Sequence, residues 1–292
     1  MQGEEGAARL LPARSIARPV RTLLAARPFE ARVLAIFERA CLLSTPDGEV
    51  LSLVLPAAGD GPLNVVVEGE PGAFGGLAQA MRAHLHDGQL SLGDVHVPLA
   101  GAATWEPRPA WERLRAAGAT APIRLEQLRA VALAPAPREG LLVLLAPEGG
   151  PGSNARPPAV VERARAAAAD LAAGRAGDVT RLEAAARRLA GLGGGLTPAG
   201  DDFLVGAMLR AWLDGPAPEA FCRAVAAVAA PRTTLLSAAL LRAAARGECS
   251  APWHRLLAAL ESGASPAPAV EAILAHGHTS GADALAGFLG IG

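Results

Sequence analysis

Residues 191–206 read Gly191-Leu192-Gly193-Gly194-Gly195-Leu196-Thr197-Pro198-Ala199-Gly200-Asp201-Asp202-Phe203-Leu204-Val205-Gly206. A glycine-rich loop here runs into a helix start. Three adjacent glycines open backbone angles closed to other residues and let a ligand approach the main chain. Thr197 is placed to cap a helix, with Pro198 at the first helical position, where its missing N–H costs nothing. Asp201 and Asp202 then fall in the first turn, where negative charge is favoured. Asp202 and Gly206 are four apart and share a stripe. The form G-x-D-x-L-x-G returns at Gly281-Ala282-Asp283-Ala284-Leu285-Ala286-Gly287, after His276-Gly277-His278-Thr279-Ser280. Working outward, helical spacing is read over 160–173, 179–190, 200–213, 217–229, 233–246, 252–261, 267–275 and 281–289, with Gly and Pro between the segments.

The first half has a different period. Arg32 to Ser44 holds alternating and continuous apolar stretches, and Thr45-Pro46-Asp47-Gly48 is a turn signal before a strand at Val50 to Leu55. Further strands are read at Leu63 to Glu68, Ser91 to Leu99 and Leu141 to Leu145, with helical character at Gly76 to His86. The Pro, Gly, Ser and Asn at 147–158 mark a break. The expectation is an α+β chain: a β-rich domain over 1–150, then an α-helical domain over 151–292.

With 292 residues, 51% of them hydrophobic, the chain has ample material for a core. Its net charge is −1 and its basic residues are all Arg, as expected from a GC-rich coding sequence, so Arg abundance carries little functional weight. No basic stripe or aromatic platform marks a nucleic-acid binder. The apolar runs are far shorter than a membrane span and the N-terminus has no apolar leader core. Cys41, Cys222 and Cys249 are scattered, which suits a reducing compartment. A soluble, cytoplasmic protein is expected.

In a chain so poor in polar residues, three segments stand out. The free N–H groups and positive dipole end at Gly193, Gly194, Gly195, Thr197 and Gly200 suit a phosphate or carboxylate, although Asp201 and Asp202 repel an anion unless Arg or a metal intervenes. The same residues also make an ordinary helix start. Ser280-x-x-Asp283 is a capping-box pattern, beside Thr279 and Gly281. His276 and His278 match no strong metal spacing, and act more readily as hydrogen-bonding or acid–base groups. At Pro231-Arg232-Thr233-Thr234-Leu235-Leu236-Ser237, Arg232 offers a bidentate anion contact, with Thr234 and Ser237 beside it; a cap and a solvated Arg explain the same residues. No metal ligand set is assigned. His84, His86 and His96 are isolated and receive no role.

The run GLGGGLTPAGDDFLVG, the later TTLLSAALLRAAARG and the terminal HGHTSGADALAGFLG together resemble the oxamate carbamoyltransferase subunit family, clearly over about residues 185–292. One departure is visible: Pro231-Arg232-Thr233-Thr234 stands where an Asn-containing stretch is expected. The resemblance implies a subunit, acting with two other proteins, of an enzyme of purine (allantoin) breakdown. That enzyme converts oxalurate and phosphate to oxamate and carbamoyl phosphate, which a carbamate kinase then uses. Under this resemblance, Gly193 to Thr197 and Thr279/Ser280 would contact the anion and carbonyl. Asp201, Asp202 and Asp283 would orient a nitrogen, and His276 or His278 would move a proton. Two alternatives stay open. One is a non-catalytic binding or structural subunit whose partners supply the chemistry. The other is a Mg2+-dependent helical hydrolase of ADP-ribosyl or phosphorylated compounds, with Mg2+ as its cofactor.

Overall fold

The computed structural model describes residues 8–25, 28–134, 140–146 and 159–291. The chain divides into two compact units, meeting in sequence at Pro107 and Arg108. The Pro/Gly-rich break at 147–158 lies outside the described residues. The architecture is mixed α+β, with a curled sheet in the N-terminal half and helices in the C-terminal half.

The first unit holds β1 (Arg9–Leu10), β2 (Ala13–Ala17), α1 (Arg18–Ala25), β3 (Glu30–Phe37), β4 (Ala40–Ser44), β5 (Val50–Val54), β6 (Asn64–Val67), β7 (Arg82–His86), β8 (Gln89–Leu92), β9 (Val95–Pro98) and β10 (Ala103–Trp105). They form one sheet in the order β1-β9-β8-β7-β3-β4-β5-β6-β2-β10. The Thr45–Gly48 turn joins β4 to β5 antiparallel, with Ser44 opposite Val50. Period-2 alternation sends Leu90, Leu92, Val95 and Val97 into the core and leaves Gln89, Ser91 and His96 on the other face, where Ser91 Oγ and His96 Nδ1 lie 2.9 Å apart. Every residue of β5 is buried. Two expectations are corrected here. Residues 76–86 are not helical: a turn leads into β7, because Arg82, Ala83 and His84 alternate out, in, out against β3 and β8. The segment from Ser91 to Leu99 belongs to two strands, folded back at Gly93 (φ 58°).

The second unit contains α2 (Trp111–Ala116), α3 (Pro122–Leu133), a 3-10 turn over Gly140–Leu145, α4 (Ala159–Arg175), α5 (Val179–Leu189), α6 (Ala199–Asp214), α7 (Pro218–Ala229), α8 (Leu235–Ala245), α9 (Ala251–Ser262), α10 (Ala267–Leu274) and α11 (Ser280–Gly290). Leu141 to Leu145 is therefore a helical turn, not a strand; a short apolar run is compatible with either, and burial of Leu141, Leu142 and Leu145 decides it. At the centre lies α6, buried almost all round, as is its partner α11. A helix apolar on every side is a core helix. Asp178 caps α5 by accepting from Arg181 N at 3.0 Å. Trp111 stacks on Trp212 with ring centroids 6.1 Å apart, and their indole N–H groups donate to Gly247 O and Ala244 O. Among the described residues no helix is long and apolar enough to cross a membrane.

Candidate functional site

The two G-x-D-x-L-x-G segments meet. Helices α6 and α11 cross backbone to backbone at the last glycine of each motif. A Cβ on Gly206 would sit 1.8 Å from Ala284 O, and one on Gly287 would sit 1.9 Å from Phe203 O. Phe203 and Ala284 occupy the same place in their motifs, so the contact is reciprocal, as about a local two-fold axis. The first glycines are equally constrained. Gly200 packs on Leu189 O at the end of α5, and Gly281 packs on Ile273 O in the last turn of α10. Each motif is thus a helix start laid against the end of the preceding helix, then clamped to its counterpart.

This crossing carries three buried carboxyls. Asp201 is satisfied at both oxygens: Oδ1 accepts from Gly191 N at 3.0 Å and Oδ2 accepts from the Thr233 hydroxyl. Burial pushes its carboxyl above the usual range, while those two donors and Ser237 oppose the shift. Asp283 is fully buried; its Oδ1 accepts from Leu141 N at 2.6 Å, and its Oδ2 has no partner among the described residues. Burial raises its carboxyl too, against the Leu141 N–H and the Thr279 hydroxyl. Asp202 is 7% exposed and its Oδ2 is also unpartnered. Burial pushes Asp202 up to about 8, the Ser280 and Thr197 hydroxyls hold it down, and the charges of Asp283 and Asp201 raise it further. Asp202 therefore keeps its proton at neutral pH. No basic side chain of the described residues acts on any of the three.

The hydroxyl-bearing segments converge on the same place. Thr197 does not cap α6: Pro198 holds that position and no side chain caps the helix. The Thr197 hydroxyl lies 2.9 Å from Ser280 Oγ instead, bonding one motif to the other. Ser280 and Asp283 form no capping box either, since α11 has Thr279 at its cap position without a side-chain bond and the Asp283 carboxyl turns to Leu141. Thr234 does cap α8, accepting from Ser237 N at 3.1 Å, and its hydroxyl donates to Leu196 O at 2.5 Å. Ser237 is buried and its hydroxyl also reaches Leu196 O, at 3.4 Å. Gly193, Gly194 and Gly195 are exposed, with φ of 117° at Gly193 and 84° at Gly195, and open space beside Gly194 and Gly195. Three further sequence-predicted residues are exposed. Arg232 Nη1 donates to Val228 O at 2.6 Å from an exposed position. His276 and His278 are exposed, and Gly277 between them takes φ 66°.

Three contributors were not picked out in the sequence. Thr233 bonds Asp201; its only signal was a place beside Thr234. Leu141 N–H reaches Asp283 from 142 positions away, and Gly140 (φ 56°) is bare because a Cβ there would sit 2.3 Å from Asp283 Oδ1. Nothing in the sequence near 140 announces this. Among the described residues no group of three or more His, Cys, Asp or Glu side chains is arranged to hold a metal.

A family model described as oxamate carbamoyltransferase subunit AllH matches residues 189–291, the span of both motifs and all three carboxyls. One described as the AllH family N-terminal domain matches residues 12–104, the sheet unit. No solved structure matches the chain. With these matches over most of its length, the chain belongs to the AllH family of oxamate carbamoyltransferase subunits.

Proposed function

We propose that this chain is a subunit of an enzyme that moves a carbamoyl group between oxamate and phosphate, and that the α6/α11 crossing is where its reactants are held. The single observation that carries this reading is the meeting of the two motifs, bonded Thr197 to Ser280, with one buried carboxyl oxygen on Asp202 and one on Asp283 left without a partner among the described residues. Buried polar atoms are nearly always paired, so two left open in the cores of two crossing helix starts mark a place reserved for something else.

In the phosphorolytic direction a phosphate oxygen bonds to the ureido carbonyl carbon of oxalurate, the carbon–nitrogen bond breaks, and the departing nitrogen gains a proton to become the amide of oxamate. The phosphate needs donors, which the open backbone at Gly193 to Gly195 and the Thr279/Ser280 helix start offer. Asp201 is a brace for the Gly191 turn, because both its oxygens are engaged. In this reading Asp202 and Asp283 face the reactants, and the exposed Arg232, His276 and His278 are given no role. The test is carbamoyl transfer by the complex reconstituted with its partner subunits. Asp202→Asn and Asp283→Asn are each expected to lower kcat at least ~100-fold with assembly intact. Wild-type rates in both variants would refute the reading and favour a non-catalytic subunit.

A further inference from the structure

We infer that the free Oδ2 atoms of Asp202 and Asp283 hold one divalent cation of the Mg2+ or Mn2+ class between the two motifs. Two independent features point there. Both side chains are more than nine-tenths buried, and in each one oxygen has no partner among the described residues. The two motif starts also adjoin, with the Thr197 and Ser280 hydroxyls 2.9 Å apart across the crossing. Buried carboxyl oxygens without a partner are costly, and a bound ion would satisfy both. The surroundings select its type. Besides Asp201, the side chains that act on these two carboxyls are the hydroxyls of Thr197, Ser280 and Thr279, all hard oxygen. Oxygen-only surroundings suit Mg2+ or Mn2+ and disfavour softer metals.

The lack of a third acidic or imidazole ligand among the described residues fits this type. Mg2+ is commonly held by one or two carboxylates, several waters and a substrate phosphate. Such an ion also resolves a conflict in the sequence: a glycine-rich anion loop followed at once by two acids. Arg232, the basic residue nearest in sequence to the cluster's hydroxyls, bonds Val228 O. The binding of the ion to the two aspartates stands on these residues alone; its contact with phosphate rests on the carbamoyl-transfer reading.

The experiment is Mn2+ binding to the full chain, followed by electron paramagnetic resonance with and without inorganic phosphate. The expected result is about one Mn2+ per chain, displaced by excess Mg2+ and tightened by phosphate. Asp202→Asn and Asp283→Asn should each weaken it at least ~10-fold while retaining the wild-type circular dichroism spectrum. If a variant does not fold, the wild type still decides. Fe2+ loaded in place of Mn2+ and treated with peroxide should cleave the backbone near residues 197–203 and 279–284. No bound Mn2+, equal binding by folded Asn variants, or cleavage elsewhere overturns the inference. Transfer by the reconstituted complex at full rate in a chelator, with no Mn2+ bound, would sink the metal and leave the carbamoyl reading standing. Bound Mn2+ without transfer would do the reverse.

Discussion

Gly206→Ala sets two known effects against each other. Alanine is the better helix former, worth about 1 kcal/mol over glycine in a helix interior. Position 206 lies in the middle of α6, so propensity alone makes the change stabilising. The new Cβ, however, would fall 1.8 Å from Ala284 O. An acceptable carbon–oxygen contact is about 3.3 Å, so the two helices must part by roughly 1.5 Å. The obstacle is backbone on both sides, and no rotamer can yield. Overpacking of a close-packed core costs about 1–3 kcal/mol and sometimes more, and a rigid contact belongs at the upper end. The expected net loss is about 2 kcal/mol, or a melting temperature lower by roughly 4–8 °C for a unit of this size. Gly287→Ala should behave alike, because its contact with Phe203 O is the mirror of the first. Gly194→Ala is the control, with nothing within 4 Å of its Cβ position. Urea and thermal unfolding of the three variants, followed by circular dichroism, decide the matter. A Gly206→Ala protein as stable as wild type, or more so, would refute the close crossing and with it the meeting of the two motifs.

Other outcomes follow from single contacts. Without added metal, native Asp202 keeps its proton to about pH 8 while the unfolded chain releases it near 4. The native state then binds more protons over that window, so stability is greatest below ~4 and falls by up to ~1.4 kcal/mol per pH unit before levelling above ~8. Asp202→Asn should flatten that slope in urea melts taken from pH 5 to 8. Asp201→Asn replaces an acceptor facing two donors by a group with one acceptor and an NH2. A loss of about 1–3 kcal/mol is expected, with faster hydrogen exchange at Gly191. Asp214 joins Arg175 and Arg210, and Arg210 is 6% exposed. Asp214→Ala strands a buried guanidinium and should cost about 3–5 kcal/mol in the same unfolding assay.

Much of the fold is written in local signals. Glycine and proline punctuation placed α4 to α11 within a few residues, because such residues lie close to the helix ends. The β4–β5 hairpin was equally legible from its Pro-Asp-Gly turn. The failures share a cause: the deciding partner is remote in sequence. Thr197 has every local mark of a cap, yet its hydroxyl bonds Ser280, 83 residues on. The Leu141 to Leu145 run has no period to separate strand from helical turn, and only its packing against α11 settles the choice. At the site, the residue types and the repeat located the acids, but not which of them would be free. Asp201 and Asp202 are neighbours with the same chemistry; one is consumed by Gly191 and Thr233 and the other is left open. Adjacent helix positions face about 100° apart, and that difference becomes visible only when both walls of the site are present.

A reciprocal helix pair has a consequence for ligand orientation. Two equivalent halves offer the same groups from either side, so a small molecule entering between them would have two opposite poses of equal energy. Here the equivalence is broken: Leu141 N–H occupies an oxygen of Asp283, while the Thr197–Ser280 bond lies on the Asp202 side. The 3-10 turn that supplies Leu141 therefore sets a polarity on an otherwise two-faced cradle, and substitutions in that turn should change which way round a ligand sits before they change how tightly it is held.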